Sequence, residues 1–250
     1  MSLAATVSEP VSALSPTLSS LEVCDRQHLL GLGFSAETTG KVADCAAWTM
    51  TFPLKRVKKH KRVEAICPMV APSLAANGMR YAVASMSGRE PGLATLDRLL
   101  LEAAAAFDRI ETDDPRLRCL VVVAPEVKGS RLLDATHPSR KIKNTLLQRG
   151  IFVGEFFPSC PFATTFNPRL FALRSPAPMY VLRTFLDSDW RFICQISEWQ
   201  KTYRERFGDP PGKLRNLGGP VWRLRQKLGW RIDAALSRVF PKRSRAIELD

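Results

Sequence analysis

The 250-residue sequence lacks the patterns by which most metal, nucleotide and hydrolase sites are recognised. Its six cysteines stand singly without a C-x-x-C pair, which argues against a paired-ligand zinc site and against a disulfide scaffold. It contains no G-x-G-x-x-G, Walker loop, G-x-S-x-G or H-E-x-x-H motif. Three histidines at distant positions make a three-histidine metal site a poor interpretation.

Long apolar runs are also missing. No run approaches the ~18 residues that a membrane-spanning helix needs. The first 20 residues lack the basic start and continuous apolar stretch of a secretory signal peptide. We therefore expect a cytoplasmic protein with no transmembrane segment and with reduced, mostly buried thiols.

The net charge of +13 comes from two segments of the chain. Residues 55–62 hold six lysines and arginines and no acid, and residues 211–245 hold ten with the single acid Asp233. The rest is close to neutral, which argues against a protein whose whole surface serves nucleic acid. We predict a flexible N-terminal segment at 1–21, an α/β domain at 22–207, and a basic C-terminal helix and tail at 208–250.

The middle of the chain alternates β-branched runs with helical periodicity. This alternation predicts a single mixed-sheet domain with flanking helices, of the α/β or α+β class. The predicted strands are 79–86, 117–124, 151–157 and 179–186, with the first three in one sheet. The predicted helices are 36–48 with Ser35 as N-cap, 93–107, 139–149 ending at Gly150, and 189–207.

Residues 220–240 have apolar side chains at helical spacing and basic ones on the opposite face. Such a helix can lie on an anionic membrane surface, bind nucleic acid or a protein partner, or pack against its own domain. We expect a detachable element whose basic region, 220–245, supplies any such contact.

Residues 150–183 form the most distinctive stretch, because they combine many prolines and phenylalanines with few charges. Surface loops are seldom so apolar, and a strand does not tolerate so many prolines. The pattern predicts a strand followed by a long ordered loop packed against the domain. Long ordered loops within compact domains are often functional.

This stretch carries a family resemblance. The matching positions are Gly150, Gly154, Glu155, Phe156, Pro158, Asn167, Pro168, Leu173, Arg174, Ser175, Pro176, Pro178, Arg183, Asp189 and Phe192, with Arg62, Cys67 and Pro68 upstream. They resemble a bacterial family known as domain of unknown function 6875, over roughly residues 48–195. The family's histidine in its G-E-F-H-P segment is Phe157 here, so no role of that histidine transfers. The resemblance implies a domain and no established reaction.

Five polar residues are the predicted ligand-binding set: Glu155, Asn167, Arg174, Ser175 and Arg183. An arginine in an apolar setting needs a partner, since an unpaired buried charge is costly. Glu155 is one candidate partner, in a structural pair that locks the loop to the sheet. Alternatively, Arg174 receives the carboxylate or phosphate of a ligand. We expect Glu155, Arg174 and Arg183 to converge on one pocket lined by Phe156, Phe166 and Tyr180.

Two further residues are candidates for chemistry. His137, in a loop before Pro138, is the candidate axial ligand of a haem. Cys67 is the thiol candidate, although a nucleophilic cysteine needs a nearby base. The Cys67-Pro68 and Cys160-Pro161 segments, with residues 80–82, resemble haem-dependent N-oxygenases that hydroxylate amino-acid guanidines.

Two functions fit these observations. The first is an enzyme of specialised metabolism that acts on a small anionic or amino-acid-like metabolite and possesses a haem if the oxygenase resemblance holds. The second is a non-enzymatic accessory protein that acts through its basic C-terminal helix.

Overall fold

The computed structural model describes residues 17–21, 34–59, 62–85, 91–164, 167, 169–210 and 212. The predicted amphipathic helix at 220–240 lies outside these residues, as does most of the segment at 1–21. The described strands are β1 (Thr17–Leu21), β2 (Arg56–Lys59), β3 (Arg62–Ala65), β4 (Met79–Ser85), β5 (Cys119–Val123), β6 (Ile151–Phe156) and β7 (Met179–Thr184). The helices are α1 (Ala36–Thr51), α2 (Val70–Ala75), α3 (Leu93–Asp108), α4 (Gly129–Ala135), α5 (Ile142–Gln148), α6 (Trp190–Ile193) and α7 (Ser197–Phe207).

A five-stranded mixed sheet organises the domain, in the order β1-β4-β5-β7-β6. The β4–β5 pair is parallel, and the other three pairings are antiparallel. The sequence prediction of a mixed sheet that contains segments 79–86, 117–124 and 151–157 is confirmed. The strand β1 lies in the segment that the sequence predicted to be flexible, and it pairs with β4.

The helices form where local sequence favours them. The Ser35 hydroxyl accepts a hydrogen bond from the Thr38 amide at 3.2 Å, so the predicted N-cap of α1 is confirmed. In α3, the residues Leu96, Leu99, Leu100, Ala103 and Phe107 are buried along one face, as predicted. The chain leaves α5 through Gly150, whose φ of 81° suits glycine at the end of a helix.

Alternation along the strands gives the sheet two apolar faces. One face packs with helices α3 to α5 and includes Leu120, Val122, Val153, Tyr180 and Leu182. The other packs with α1 and includes Met79, Tyr81, Val83, Cys119, Val121 and Met179. Because all five residues of β5 are buried, this strand lies in the centre of the core.

The predicted helix at 189–207 is two helices rather than one, and this correction changes how its aromatic residues pack. Residues 194–196 separate α6 from α7, and Ile196 has extended backbone angles. The Gln200 side chain donates to the Cys194 carbonyl across the break. The break allows the Trp190 and Tyr203 rings to meet with centroids 5.0 Å apart.

The basic run at 55–62 contributes to a second, two-stranded antiparallel sheet made of β2 and β3. At the other end of the domain, α7 stops at Gly208, whose φ is 75°, at the break that the sequence indicated. Among the described helices, none is long and apolar enough to cross a membrane.

Candidate functional site

The candidate site lies at the end of the large sheet where β4, β5 and β6 finish. Val123 and Phe156 both pair with Met179, so β7 begins beside the last residues of β5 and β6. The Ala124 amide donates to the Pro178 carbonyl at 2.8 Å. The loop at 157–178 therefore starts and ends at the carboxyl ends of the parallel strands, where open α/β sheets usually bind ligands.

The loop is held in shape by its own polar groups. The Asn167 carboxamide oxygen accepts from the Arg169 amide at 2.9 Å, which makes an Asx turn. The buried Ser175 hydroxyl donates to the Ala177 carbonyl at 2.7 Å. Asn167 and Ser175, both predicted to bind ligand, thus have structural partners, and their ligand-binding role stays a prediction.

Arg174 differs from the other predicted residues because it is exposed. Its Nε donates to the Cys160 carbonyl at 3.0 Å, and its guanidinium carbon lies 3.8 Å from the centroid of the Phe171 ring. Within the described ranges, neither terminal nitrogen of Arg174 has a hydrogen-bond or ion-pair partner. The guanidinium is therefore fixed in orientation, and the four N–H donors of its two terminal nitrogens are left over.

The predicted Glu155–Arg174 pair is wrong. Glu155 pairs instead with Lys143 of α5, with Nζ and Oε1 2.8 Å apart and both side chains about one-tenth exposed. The Lys143 ammonium also lies 5.2 Å from the Trp199 ring centroid and 5.6 Å from that of Phe152. The carboxylate is thus used to neutralise a lysine that would otherwise be buried unpaired.

Arg183 has a partner of its own in Asp189. Two hydrogen bonds join the guanidinium to the carboxylate, at 2.7 Å and 2.6 Å, and the Leu186 amide donates to the same carboxylate at 2.9 Å. Burial alone would lower the pKa of Arg183, but its hydrogen bonds and proximity to Asp189 raise the pKa above its ordinary value. Arg183 therefore remains charged in a nearly closed environment.

Glu155 and Arg183 lie on opposite faces of the sheet. Glu155 is paired with Tyr180, whereas Arg183 is paired with Phe152, and residues 180 and 183 point in opposite directions along β7. Phe156 and Tyr180 likewise belong to different faces. The expected single pocket is therefore wrong, and Phe166, its third expected lining residue, lies outside the described residues.

The haem hypothesis receives no support from the surroundings of His137. His137 is exposed, and its Nδ1 accepts from the Ser139 amide at 3.2 Å. The ring proton of the neutral imidazole then sits on Nε2, whereas a haem-binding histidine usually offers Nε2 as the ligand and donates from Nδ1. A role for His137 as an axial ligand stays a prediction. His28 and His60 lie outside the described residues.

Cys67 is half-buried, and its amide donates to the Pro53 carbonyl at 2.9 Å. The described residues give its thiol no histidine partner, and they contain no group of three metal-ligating side chains. Nearby, burial and then Cys67 raise the pKa of Cys119 to about 12, while Arg183 opposes this effect. Cys119 is therefore an unreactive core thiol, and a role for Cys67 stays a prediction.

Sequence reasoning missed Lys143 and Phe171. Lys143 is buried with Ile142, Leu146 and Leu147, at the three- and four-residue spacing of the apolar face of α5. That spacing was a usable signal, because a lysine on the buried face of a helix requires an acidic partner. Phe171 carried no comparable signal, since its contact with Arg174 depends on the turn that joins them.

Comparison with known proteins places the site within a family domain. The family model described as "Domain of unknown function (DUF6875)" matches residues 42–216. The chain belongs to this family. The DUF6875 match includes most of α1, all of α2 to α7 and the strands β2 to β7, whereas β1 lies outside it. No curated protein and no solved structure matches the chain.

Proposed function

We propose that the protein binds a small metabolite bearing a carboxylate or phosphate at the end of the sheet where the 157–178 loop lies. The free donor pair of Arg174 carries this proposal. A guanidinium presents its donors in a planar fork that matches both anions. Of the five residues predicted from the sequence, Arg174 is the one exposed to solvent.

The setting of Arg174 resembles a prepared binding group more than a free surface arginine. Its Nε bond to Cys160 and its stacking on Phe171 restrict the side chain before any ligand arrives. Restricting a long side chain in advance reduces the entropy that binding would cost. A surface arginine without such contacts would lose more rotamer freedom.

Two charged groups of the protein affect the thiol of Cys160, whose backbone carbonyl holds Arg174. Burial raises the pKa of the Cys160 thiol, the charge of Glu155 raises it further, and the charge of Arg174 lowers it. The charges of Glu155 and Arg174 therefore both affect the pKa of the Cys160 thiol. Amino-acid-like anions are therefore included with simple carboxylates and phosphate among the ligands to be tested.

In an enzyme of small-molecule metabolism, this site would bind the substrate. No haem-dependent or other oxidative reaction is assigned. The accessory-protein alternative relies on residues 220–245, which lie outside the described residues.

The test is thermal unfolding of the full chain with phosphate, succinate and L-aspartate as probes, each at 10 mM. A ligand at one hundred times its Kd stabilises the folded state by about 2.7 kcal/mol. For a domain of this size, that amount raises Tm by several degrees. At least one probe is expected to raise the Tm of the unmodified protein.

Arg174→Gln is expected to abolish that rise, and Arg174→Lys to reduce it. Arg169→Gln is the matched control, because Arg169 is another exposed arginine of the same loop. Loss of the rise in both the Arg174 and the Arg169 variants would indicate non-specific charge attraction. Retention of the full rise in Arg174→Gln would contradict the proposal.

A further inference from the structure

The β2–β3 hairpin is a separate two-stranded unit that joins the domain through its base. The Ile66 amide donates to the Lys55 carbonyl at 3.0 Å, and the Cys67 amide donates to the Pro53 carbonyl at 2.9 Å. Val57, in the middle of β2, is 8% exposed and packs inward. These contacts fix the direction in which the remaining side chains of β2 point.

The outward side of β2 is positively charged. Because strand residues alternate, Arg56 and Lys58 lie on the side opposite Val57, about 6.6 Å apart along the strand. Lys55 is exposed next to them. Arg56 donates to the Val63 carbonyl at 3.1 Å, which holds it along the ribbon. Among the residues that the structure describes, no carboxylate pairs with Lys55, Arg56 or Lys58.

Two aromatic rings adjoin this row of cations. The Trp48 and Phe52 rings are stacked, with centroids 5.0 Å apart and planes 15° from parallel. The Lys55 ammonium lies 5.9 Å from the Phe52 centroid, so the aromatic pair and the cations are continuous. Both rings are half-buried and therefore present part of their surface to solvent.

We infer that the surface formed by Trp48, Phe52, Lys55, Arg56 and Lys58 binds single-stranded nucleic acid. Proteins that bind such strands combine a row of cations along the phosphate backbone with aromatic rings on which bases stack. A row of charges along a ribbon suits a polymer with repeated phosphates better than a single small anion. None of these five residues is used in the Arg174 proposal, so each proposal is tested by its own variants.

A membrane is the less favoured partner for this surface. Binding to a bilayer interface draws on a broad apolar face as well as on basic residues. The large exposed apolar side chains in the described parts of α1 and the hairpin are Met50 and Val63, at 39% and 54% exposure. Two separate side chains of this kind do not form such a face.

The test measures fluorescence anisotropy of a labelled 12-nucleotide oligouridylate with the full chain between 50 and 200 mM salt. The affinity for a single strand falls with salt, and each phosphate contact contributes ~0.7 to the magnitude of the slope of log affinity against log salt concentration. Removing two contacts therefore makes this slope shallower by about 1.4. The double variant Lys55→Gln with Lys58→Gln is expected to show this shallower slope. The control variant Lys141→Gln with Lys201→Gln removes the same charge from exposed sites just before α5 and on α7, and it is expected to leave the slope unchanged.

Phe52→Leu tests the aromatic pair separately. It keeps apolar volume but removes a stacking surface, so affinity is expected to fall roughly 5- to 100-fold with an unchanged salt slope. Equal slopes in the hairpin and control variants would overturn the inference, because binding would then come from elsewhere, including the basic tail. It would also be overturned if the hairpin variant lost binding to anionic phosphatidylserine vesicles while keeping full affinity for the oligonucleotide.

Discussion

Arg174 and Arg183 are two arginines of the same family domain, and the fold places them in contrasting environments. Arg183 lies on β7 with both terminal nitrogens bonded to Asp189, whose side chain is 3% exposed. Arg174 lies in the adjoining loop, where one nitrogen bonds to a backbone carbonyl and the other two face solvent. The same residue type thus serves as a fixed internal cation in one place and as an available donor in the other.

The comparison shows that the role of an arginine depends on whether another group of the protein already occupies its hydrogen-bond donors. A guanidinium whose donors are satisfied by a buried carboxylate contributes to folding and offers little to a ligand. One held by its Nε and an aromatic ring keeps its directional donors for another molecule. Removing the partner of Arg183 should therefore mainly lower the free energy of unfolding, whereas replacing Arg174 should mainly reduce ligand binding.

The largest effect is expected from Asp189→Ala, which leaves the Arg183 cation buried without its partner. Breaking such a pair from one side costs about 3–5 kcal/mol of the free energy of unfolding. Urea denaturation of the variant measures this loss. Asp187→Ala is the control, because Asp187 is an exposed aspartate in the same short 3-10 turn. Equal losses of unfolding free energy in Asp189→Ala and Asp187→Ala would contradict the view that Arg183 depends on Asp189 as a buried partner.

The second effect concerns the Lys143–Glu155 pair. Glu155→Gln is expected to cost about 2–3 kcal/mol, because the slightly exposed Lys143 is left without its counter-charge. Combining Glu155→Leu with Lys143→Met is expected to recover much of this stability, since no buried charge remains. Urea denaturation of Glu155→Leu, Lys143→Met and their combination measures the coupling. Additive losses would show that the two side chains do not act as a pair.

The smallest effect on stability is expected from Arg174→Gln. The variant loses one hydrogen bond to a carbonyl and the contact with Phe171, at a cost of about 1 kcal/mol or less. Its loss of ligand-induced stabilisation should nevertheless be complete. A loss of unfolding free energy as large as that of Asp189→Ala would mean that Arg174 is an internal structural residue after all.

The sequence predicted the parts of the fold that depend on neighbouring residues. Ser35 caps α1, the leucines of α3 form one buried face, and Gly150 ends a helical segment, because each feature depends on spacing over a few positions. The position of β7 between β5 and β6 was not predictable in this way. That arrangement depends on pairing between residues 23 to 64 positions apart in the chain.

The site was predicted less well for the same physical reason. The apolar sequence around Glu155, Arg174 and Arg183 identified them as charged groups that need partners. The choice of partner depended on strand register, which places Glu155 and Arg183 on opposite faces. Asp189, only six residues after Arg183, was within reach of local reasoning, whereas Cys160 as the acceptor for Arg174 depended on the folding of the loop.

The central place of β5 has a consequence for how the chain folds during synthesis. One edge of this apolar strand pairs with β4, which is made earlier, but the other must await β7, about 60 residues later. At the usual rate of about 5–20 residues per second, that edge stays open for roughly 3 to 12 seconds. Open apolar strand edges recruit other chains. The nascent protein is therefore expected to depend on chaperones until the 157–178 loop and β7 have been made.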